Sequence, residues 1–395
     1  MKILHTSDWH LGHLLYNYDR SEEQQDFLCQ LARIVAQEQP DVMVVSGDVF
    51  HYSSPSATAQ RMYTEAILDI HQACPEMEIV LTAGNHDSSS KLEVDRKLWK
   101  HFSVHVVGKV EGADLGKHII PIKDKGFVVA VPHVYPQNFP LIEENTPREE
   151  RCCVFFQHLL NKVKEENAAG LPVVLMAHLA ITGSDSTGHD EPIGGMDFTP
   201  ITALGEGYDY LALGHIHCPQ DIKDNTRHAR YSGTPLPVSF DEQYPHSITL
   251  VEIDKQGATP VIRTVPIHNP KPLIIFPSKP TPFEEVLKEL EGFDSDLPAY
   301  LQINVLVKDF LAPDCNERIS QVLKDKRCRF CHIKMTWEQA TICEQLPRLS
   351  LQEMKEISPT EIAKLYYQEK FGKEMDDELC TLFNEALALT QMDKL

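Results

Sequence analysis

The sequence predicts an α/β fold, and three observations carry that prediction. Short apolar, β-branched runs alternate with stretches whose apolar residues recur at helical spacing, which is the pattern of successive βαβ units. Five of the short runs empty into a polar or glycine-containing turn. The polar groups at those turns are drawn from Asp, Asn and His, types that bind divalent metals. In open α/β sheets, ligands sit outside the carboxyl ends of the strands, where these groups are expected.

Residues 1–4 suit a buried strand. The polar run from His5 to His10 follows, and Gly12 turns the chain away. Asp8 and His10, two apart in extended chain, are expected to project to one side. Alone, this Asp-x-His is a common loop pattern. A helix begins at Ser21, where Ser21-Glu22-Glu23-Gln24 has the form of a capping box. Phe27, Leu28, Leu31, Ile34 and Val35 make its apolar face, and Pro40 ends it. Residues 41–46 are the next buried strand, emptying into Gly47-Asp48. Ser54-Pro55 offers a helix start, and that helix runs to about Cys74. Residues 78–83 are the third strand and end in Gly84-Asn85-His86-Asp87.

Residues 104–107, 118–122 and 127–131 read as shorter strands. Residues 132–147 are a proline-rich loop, and 148–167 a helix. A buried strand over 172–177 ends at His178. In the glycine-rich loop 183–195, Asp185, His189, Asp190 and Glu191 lie on no ordered element and read as solvated. Residues 208–213 are a strand ending in Gly214-His215-Ile216-His217. Residues 230–231, 247–253 and 261–267 read as antiparallel strands closing the domain.

Pro270, Pro272, Pro277, Pro280 and Pro282 mark a linker over 268–282. A helix from Phe283, a strand at 300–307, a helix at 314–325 and a strand at 329–337 form a small α+β domain. Residues 338–351 read as an extended connection. Two amphipathic helices close the chain: 360–371, opened by Ser358-Pro359 and ended by Gly372, and 376–389. Ile362, Leu365, Tyr366 and Phe371 stripe the first; Leu379, Leu382, Phe383, Ala386 and Leu389 stripe the second. Such short helices need a further surface to be stable. The expected domains are 1–269, 270–340 and 341–395.

At 395 residues the chain is too long for one core. No apolar run reaches the ~20 residues of a membrane span, and no signal pattern opens the chain. A cytoplasmic protein with reduced thiols and no membrane association is expected. Cys328-Arg329-Phe330-Cys331-His332 matches a haem-attachment pattern, but it falls in a strand-like stretch and reads as partly buried thiols. The net charge of −21 does not draw the chain to nucleic acid. Contact with DNA must therefore come from local basic groups, bound cations or a partner.

The strand-end groups are Asp8, His10, Asp48, Asn85, His86, His178, His215 and His217. Their number suits two metal ions, which together can clamp the attacking and leaving oxygens of a phosphoryl transfer. Mixed carboxylate and imidazole donors fit Mn, Fe or Zn better than Mg or Ca, and Mn²⁺ is the leading candidate. No cysteine belongs to the set, which argues against a closed structural zinc site. Asp48, central in the set, is the expected bridging carboxylate.

The order Asp8-x-His10, Gly47-Asp48, Gly84-Asn85-His86-Asp87, His178, Gly214-His215-x-His217 resembles the calcineurin-like metallophosphoesterase family over about residues 1–270. The resemblance implies a four-layer α/β/β/α sandwich. By position it implies Asp8, His10, Asp48 and His217 as ligands of one metal, and Asp48, Asn85, His178 and His215 as ligands of the other. It places His86 beside the phosphate and leaving oxygen, with Asp87 holding its ring. Within the family, the stretches HTSDWHLG, GDVFH and TAGNHD resemble a branch of DNA-repair nucleases. There His51 would help place the DNA strand; as a residue it also reads as an exposed loop histidine. That branch implies a DNA-capping role for the α+β domain and docking of the terminal helices to a coiled-coil ATPase. It also implies a homodimer, paired through the helices near 21–39 and 56–74, within a heterotetramer.

The reading is a two-metal DNA nuclease, acting as exonuclease and endonuclease. A phosphatase or cyclic-nucleotide phosphodiesterase on the same site stays open, favoured by the acidic balance and opposed by the extra C-terminal domains. A catalytically silent docking scaffold is opposed by the full set of converging polar groups.

Overall fold

Successive side chains of a strand point to opposite faces of its sheet, and here the central strands of two sheets are buried on both faces. In this computed structural model the described residues are 1–188, 198–222, 224, 227–308, 310–338 and 358–392. The larger unit, Met1–Ile274 with Pro298–Tyr300, holds both sheets. Its strands are β1 (Lys2–Thr6), β2 (Val42–Ser46), β3 (Glu78–Thr82), β4 (Val104–Val107), β5 (Ile119–Ile122), β6 (Gly126–Ala130), β7 (Val173–His178), β8 (Tyr210–Gly214), β9 (Gln220–Ile222), β10 (Ala229–Tyr231), β11 (Ser247–Glu252) and β12 (Val261–Pro266). The first sheet runs β12-β11-β1-β2-β3-β4, with β1 to β4 parallel. The second runs β9-β10-β8-β7-β6-β5, with β10, β8, β7 and β6 parallel.

Alternation sorts the side chains into three cores. Ile3, Val44 and Val80 of the first sheet meet Val128, Val174 and Met176 of the second in a layer between the sheets. Leu4, Met43 and Leu81 point the other way, onto Phe27 and Leu31 of α1 (Ser21–Glu38) and Met62 and Ile67 of α2 (Ala57–Ala73). Val129, Leu175 and Leu211 pack on Phe155 and Leu159 of α3 (Arg151–Glu166). The result is the expected four-layer α/β/β/α sandwich. Each such side chain gains about 1.5–3 kcal/mol on burial, so a one-residue slip of any strand would be costly.

Several local expectations are corrected. Strand β1 extends through His5, a buried core histidine whose ring meets the Tyr210 hydroxyl (2.9 Å) and the Leu213 carbonyl (3.2 Å). Burial, with Arg230 adding to it, pushes that imidazole down to about 3. No capping box forms at Ser21: Asp19 accepts from the Ser21 N–H (2.8 Å) and hydroxyl (2.6 Å). Gln24 instead turns inward. Its amide accepts from Gly12 N and donates to the His10 carbonyl, both at 3.0 Å. The second helix is capped by Ser56, which accepts from Ala59 N, rather than opened by Ser54-Pro55. Strand β10 is antiparallel to β9, as expected, but parallel to β8 on its other side.

The second unit comprises Ile275–Leu297 and Leu301–Leu395. A three-stranded sheet orders β13 (Leu273–Pro282), β14 (Tyr300–Val307) and β15 (Arg329–Trp337), with α4 (Phe283–Glu291) and α5 (Cys315–Leu323). The proline-rich stretch expected as a linker is thus largely strand β13. It is an edge strand, where a missing N–H costs no ladder bond on the open side. Cys328 and Cys331 are free thiols at the start of β15.

Among the terminal helices, α6 (Pro359–Phe371) has a complete capping box between Ser358 and Glu361, and Gly372 closes it in left-handed backbone. The Thr360 hydroxyl donates to Asn384 of α7 (Asp377–Met392) at 2.7 Å, and Phe371 packs edge-to-face on Trp337 at 5.2 Å. Tyr366 and Leu382 are exposed. The side chains of Ile362, Leu365, Ala386 and Leu389 lie outside the described residues, as does the connection expected over 338–351 beyond Glu338. No described helix is long and apolar enough to cross a membrane.

Candidate metal centre

Five parallel strands end on one side of the two sheets, and their outgoing turns meet. Neighbours in the ladders are Thr6 with Val45, Ser46 with Thr82, and His178 with Gly214. The Ser46 hydroxyl donates to the Ala212 carbonyl across the sheets (3.1 Å), so the two rows of strand ends are clamped together. The expected extended Asp8-x-His10 is not what orients these side chains. Asp8, His10, Asp48 and His215 all have positive φ, at 52°, 46°, 51° and 97°. Such backbone costs of order 1–3 kcal/mol per residue, and Asp and His tolerate it better than most. It turns each side chain from the strand axis into the space between the sheets' ends. The glycines make room: a Cβ at Gly84 would collide with the Asp48 carboxylate, and one at Gly214 with the Ser46 carbonyl.

The groups converge closely. Donor atoms of Asp8, His10 and His217 lie within 4.8 Å of one another, and so do those of Asp8, Asp48 and His178. Asn85 Oδ1 is 2.9 Å from both His178 Nε2 and His215 Nδ1. Asp48 Oδ2 sits 3.4 Å from His178 Nε2 and 3.9 Å from His10 Nε2. His10 Nε2 and His217 Nε2 face each other at 3.3 Å.

The outer atoms of these rings are spoken for. His178 Nδ1–H donates to the Ser46 carbonyl (2.7 Å), and His217 Nδ1–H to Glu242 (3.0 Å). Glu242 is itself buried and accepts from the Thr234 hydroxyl (2.7 Å) and Val238 N (3.2 Å). A carboxylate or carbonyl behind an imidazole fixes its orientation and strengthens it as a ligand. Only the inner nitrogens remain for a cation. This donor set, two carboxylates, an amide oxygen and four imidazoles, fits divalent transition metals.

Without metal, protons hold these positions. Burial works against a charged His178, but the Asp48 carboxylate overrides it and raises the ring to about 9. Burial likewise opposes ionisation of Asp48, yet His178 keeps it well below the carboxylate range. Burial pulls His217 down, and Glu242 more than compensates, so it is raised. His10 is held neutral by burial and accepts from His217. Burial pushes Asp8 up to about 6. A metal must displace the His178 and His217 protons, since it needs their lone pairs. Calorimetry with Mn²⁺ at pH 7, in buffers of different ionisation enthalpy, should therefore register proton release, with His178 as its main source. The raised His178 pKa stabilises the protonated, metal-free form fully below 6.5, and that competition fades as pH rises through about 9. Metal affinity should accordingly climb over that window. A titration with no proton release would contradict this assignment.

All ten residues expected at the site are in or beside it. His86 and His51 stand next to His10, with ring centroids at 4.9 and 5.3 Å. His86 Nδ1–H donates to the His51 carbonyl (2.8 Å), so the His86 ring is held there and not by Asp87. Asp87 does something else: its buried carboxylate accepts from Val49 N (3.1 Å), Phe50 N (2.9 Å) and Gly84 N (2.9 Å). It pins the Asp48 turn to the Asn85 turn, because a carboxylate one residue past His86 points into that loop rather than back along it. His51 is half-buried, stacked on His86 (5.1 Å, 26°), with Nδ1 3.3 Å from His10 Nδ1.

Asp185 is engaged by its own turn, accepting from Thr187 N (2.9 Å) and hydroxyl (2.6 Å); His189, Asp190 and Glu191 lie outside the described residues. Glu242, Gln24, Ser7 and His133 join the site without belonging to any of the strand-end motifs. Ser7, which donates to Asp8 Oδ2 at 2.5 Å, has the one signal available along the chain, adjacency to Asp8.

Two family models match the chain. One, described as calcineurin-like phosphoesterase, covers residues 1–219. The other, described as the Type 5 capsule protein repressor C-terminal domain, covers 269–371. Among curated relatives, the SbcD subunit of the nuclease SbcCD from Rhodobacter capsulatus is 36% identical over 74% of this chain and 75% of its own length. That of Bacillus subtilis is 30% identical over 98% of this chain and 97% of its own length. That of Escherichia coli K12 is 28% identical, over 79% of each. With the phosphoesterase model spanning most of the two-sheet unit and these relatives spanning most of the chain, the protein belongs to the calcineurin-like phosphoesterase family, in the branch of the SbcD nucleases.

Proposed function

We propose that this chain is the metal-dependent nuclease subunit of a DNA end-processing complex, cutting duplex ends as an exonuclease and single strands or hairpins as an endonuclease. The observation that carries the reading is the convergence of Asp8, His10, Asp48, Asn85, His178, His215 and His217, with backing groups that leave inner atoms for a cation. The shared name of the relatives supplies the substrate class. Asp8, His10, Asp48 and His217 would hold one ion, and Asp48, Asn85, His178 and His215 the other, with Mn²⁺ the best fit to mixed oxygen and nitrogen donors.

Two ions held by these residues would supply Lewis-acid stabilisation to the oxygens of the displacement. The chain's own residues do the rest. Asp48 and His178 sit nearly fully excluded from water, so charge developing at the phosphate is weakly screened. His86, with Nδ1–H fixed by the His51 carbonyl, presents Nε2 to the phosphate and moves a proton to the leaving oxygen. His51 braces His86 from one side and lies at the edge of the site, where a DNA strand passes.

Purified chain with Mn²⁺ or Mg²⁺ should cleave linear duplex, hairpin and single-stranded DNA, and a small phosphodiester, and spare a phosphomonoester. Hydrolysis of the phosphomonoester with DNA left intact would favour a phosphatase. Residues 270–340 act as the DNA-capping domain and 341–395 as the docking region for an SbcC-like coiled-coil ATPase. Two copies pair through α1 and α2, giving a homodimer within a heterotetramer. The partner also answers the net charge of −21, since it can carry the basic DNA track. Deleting residues 358–395 should weaken binding to that ATPase at least ~10-fold, as expected when a helix-in-groove contact is removed. Cleavage of a short single strand should stay within about twofold of wild type, because the deleted helices supply no group to the chemistry. Unchanged ATPase affinity of the truncated chain in a pull-down titration would remove the docking role.

A further inference from the structure

His133 follows Pro132 in the proline-rich loop after β6 and touches every strand end of one half of the centre. Its backbone N–H donates to the Ala83 carbonyl (2.8 Å), two residues before Asn85. Its Nδ1 lies 3.0 Å from the His178 carbonyl, an acceptor only, so Nδ1 carries the proton. Its ring stacks on His215, with centroids 6.0 Å apart and planes 28° apart, and meets His178 edge-on at 5.8 Å. The half-buried side chain thus meets His178 and His215 of the second sheet, while its backbone is tied to the first sheet's turn that carries Asn85. Its Nε2 is buried with no hydrogen-bond partner among the described residues, a cost a merely space-filling ring would avoid.

We propose that His133 is a positioning residue for the Asn85–His178–His215 half of the centre and sets how tightly that half holds its divalent ion. The proposal rests on the two-ion reading above. The reason is geometric. A ligand ring free to rotate loses orientation on binding, and the partner behind a metal-binding imidazole typically contributes 10–100-fold in affinity. His217 has Glu242 in that position and His178 has the Ser46 carbonyl. His215 has the face of His133 against its ring, and the same His133 is anchored by Nδ1–H to the His178 carbonyl.

The test is Mn²⁺ titration calorimetry on the full chain, with thermal melting of each protein in the absence and presence of Mn²⁺. Wild type should bind two ions. In His133→Ala one of the two events should weaken about 10–100-fold while the other stays within twofold. His133→Phe keeps the stacked ring and loses the hydrogen bond; His133→Asn keeps a donor and loses the ring. Each should weaken the same event by a smaller, severalfold amount. A purely structural role would lower the metal-free melting temperature and leave the Mn²⁺-induced shift unchanged. If both events keep wild-type affinity in His133→Ala and His133→Phe, the proposal is wrong while the two-ion reading stands. If His133→Ala does not fold, His133→Phe decides by the same criterion. A wild-type chain that binds at most one ion overturns the two-ion reading itself, and this proposal with it.

Discussion

Asp48→Ala protein is expected to hold neither divalent ion and to cleave DNA at the background rate. Asp48 is almost fully buried and its carboxylate faces both halves of the centre, 3.4 Å from His178 Nε2 and 3.9 Å from His10 Nε2. Its Oδ1 also accepts from His86 N at 2.9 Å, tying the Asn85 turn to the β2 turn. Removing it leaves Asp8 as the one carboxylate among the expected ligands to face two doubly charged ions. Enzymes of this kind owe at least ~10⁶-fold to their machinery, so a loss above ~10⁴-fold is expected when both ions go. The His178 proton should also fall away, because the charge that raises it to about 9 is gone and burial then dominates. The check is metal content after Mn²⁺ saturation and desalting, beside a DNA cleavage time course. Retention of two ions, or activity within tenfold of wild type, would show that Asp48 does not bridge.

His86→Ala should separate chemistry from metal binding. Its Nδ1 donates to the His51 carbonyl, and its ring meets His10 edge-on, while His178 leans on Ser46 and His217 on Glu242. Both ions should remain. The rate should drop about 10²–10³-fold, the usual loss when one group stabilising the transition state is removed. The drop should appear in kcat and on a small phosphodiester as much as on DNA, since the lost contact is with the reacting phosphate. His51→Ala differs in a useful way, because the carbonyl that holds His86 belongs to the backbone and survives the substitution. An His86→Ala protein with wild-type kcat would remove His86 from the mechanism, and one without metal would make it a ligand.

Much of this protein is legible in one dimension. The strands over 42–46, 78–82, 173–178 and 210–214 are nearly unbroken apolar runs because both their faces are buried, and no other placement of such runs avoids exposing apolar surface. Their polar ends can be read for the same reason: a residue past a doubly buried strand must leave the core together with its neighbours. The small domain's elements are readable from amphipathic spacing in 283–291 and 315–323 and from the apolar strand at 300–307. Proline content misleads at 273–282, because whether a strand lies at an edge depends on which strands pair with it. The antiparallel reading of 230–231 holds for its pairing with β9 and not with β8, since strand direction is set by the partner.

The alternation that sorts side chains into three cores, and the chemical types at the five strand ends, are written along the chain. How those ends are aimed and backed follows from packing. Left-handed backbone at Asp8, His10, Asp48 and His215 is imposed by the meeting of two sheets, and no pattern of residue types along the chain encodes it. Glu242 stands behind the His217 ring from 25 positions away, and the Ser46 carbonyl behind the His178 ring from 132. Asp87 bonds the Val49 and Phe50 amides rather than the neighbouring His86 ring. Hydrogen bonds act over about 3 Å and orientation within tens of degrees, so the partners that tune a ligand are fixed by which loops the packed sheets bring together, not by their separation in the chain.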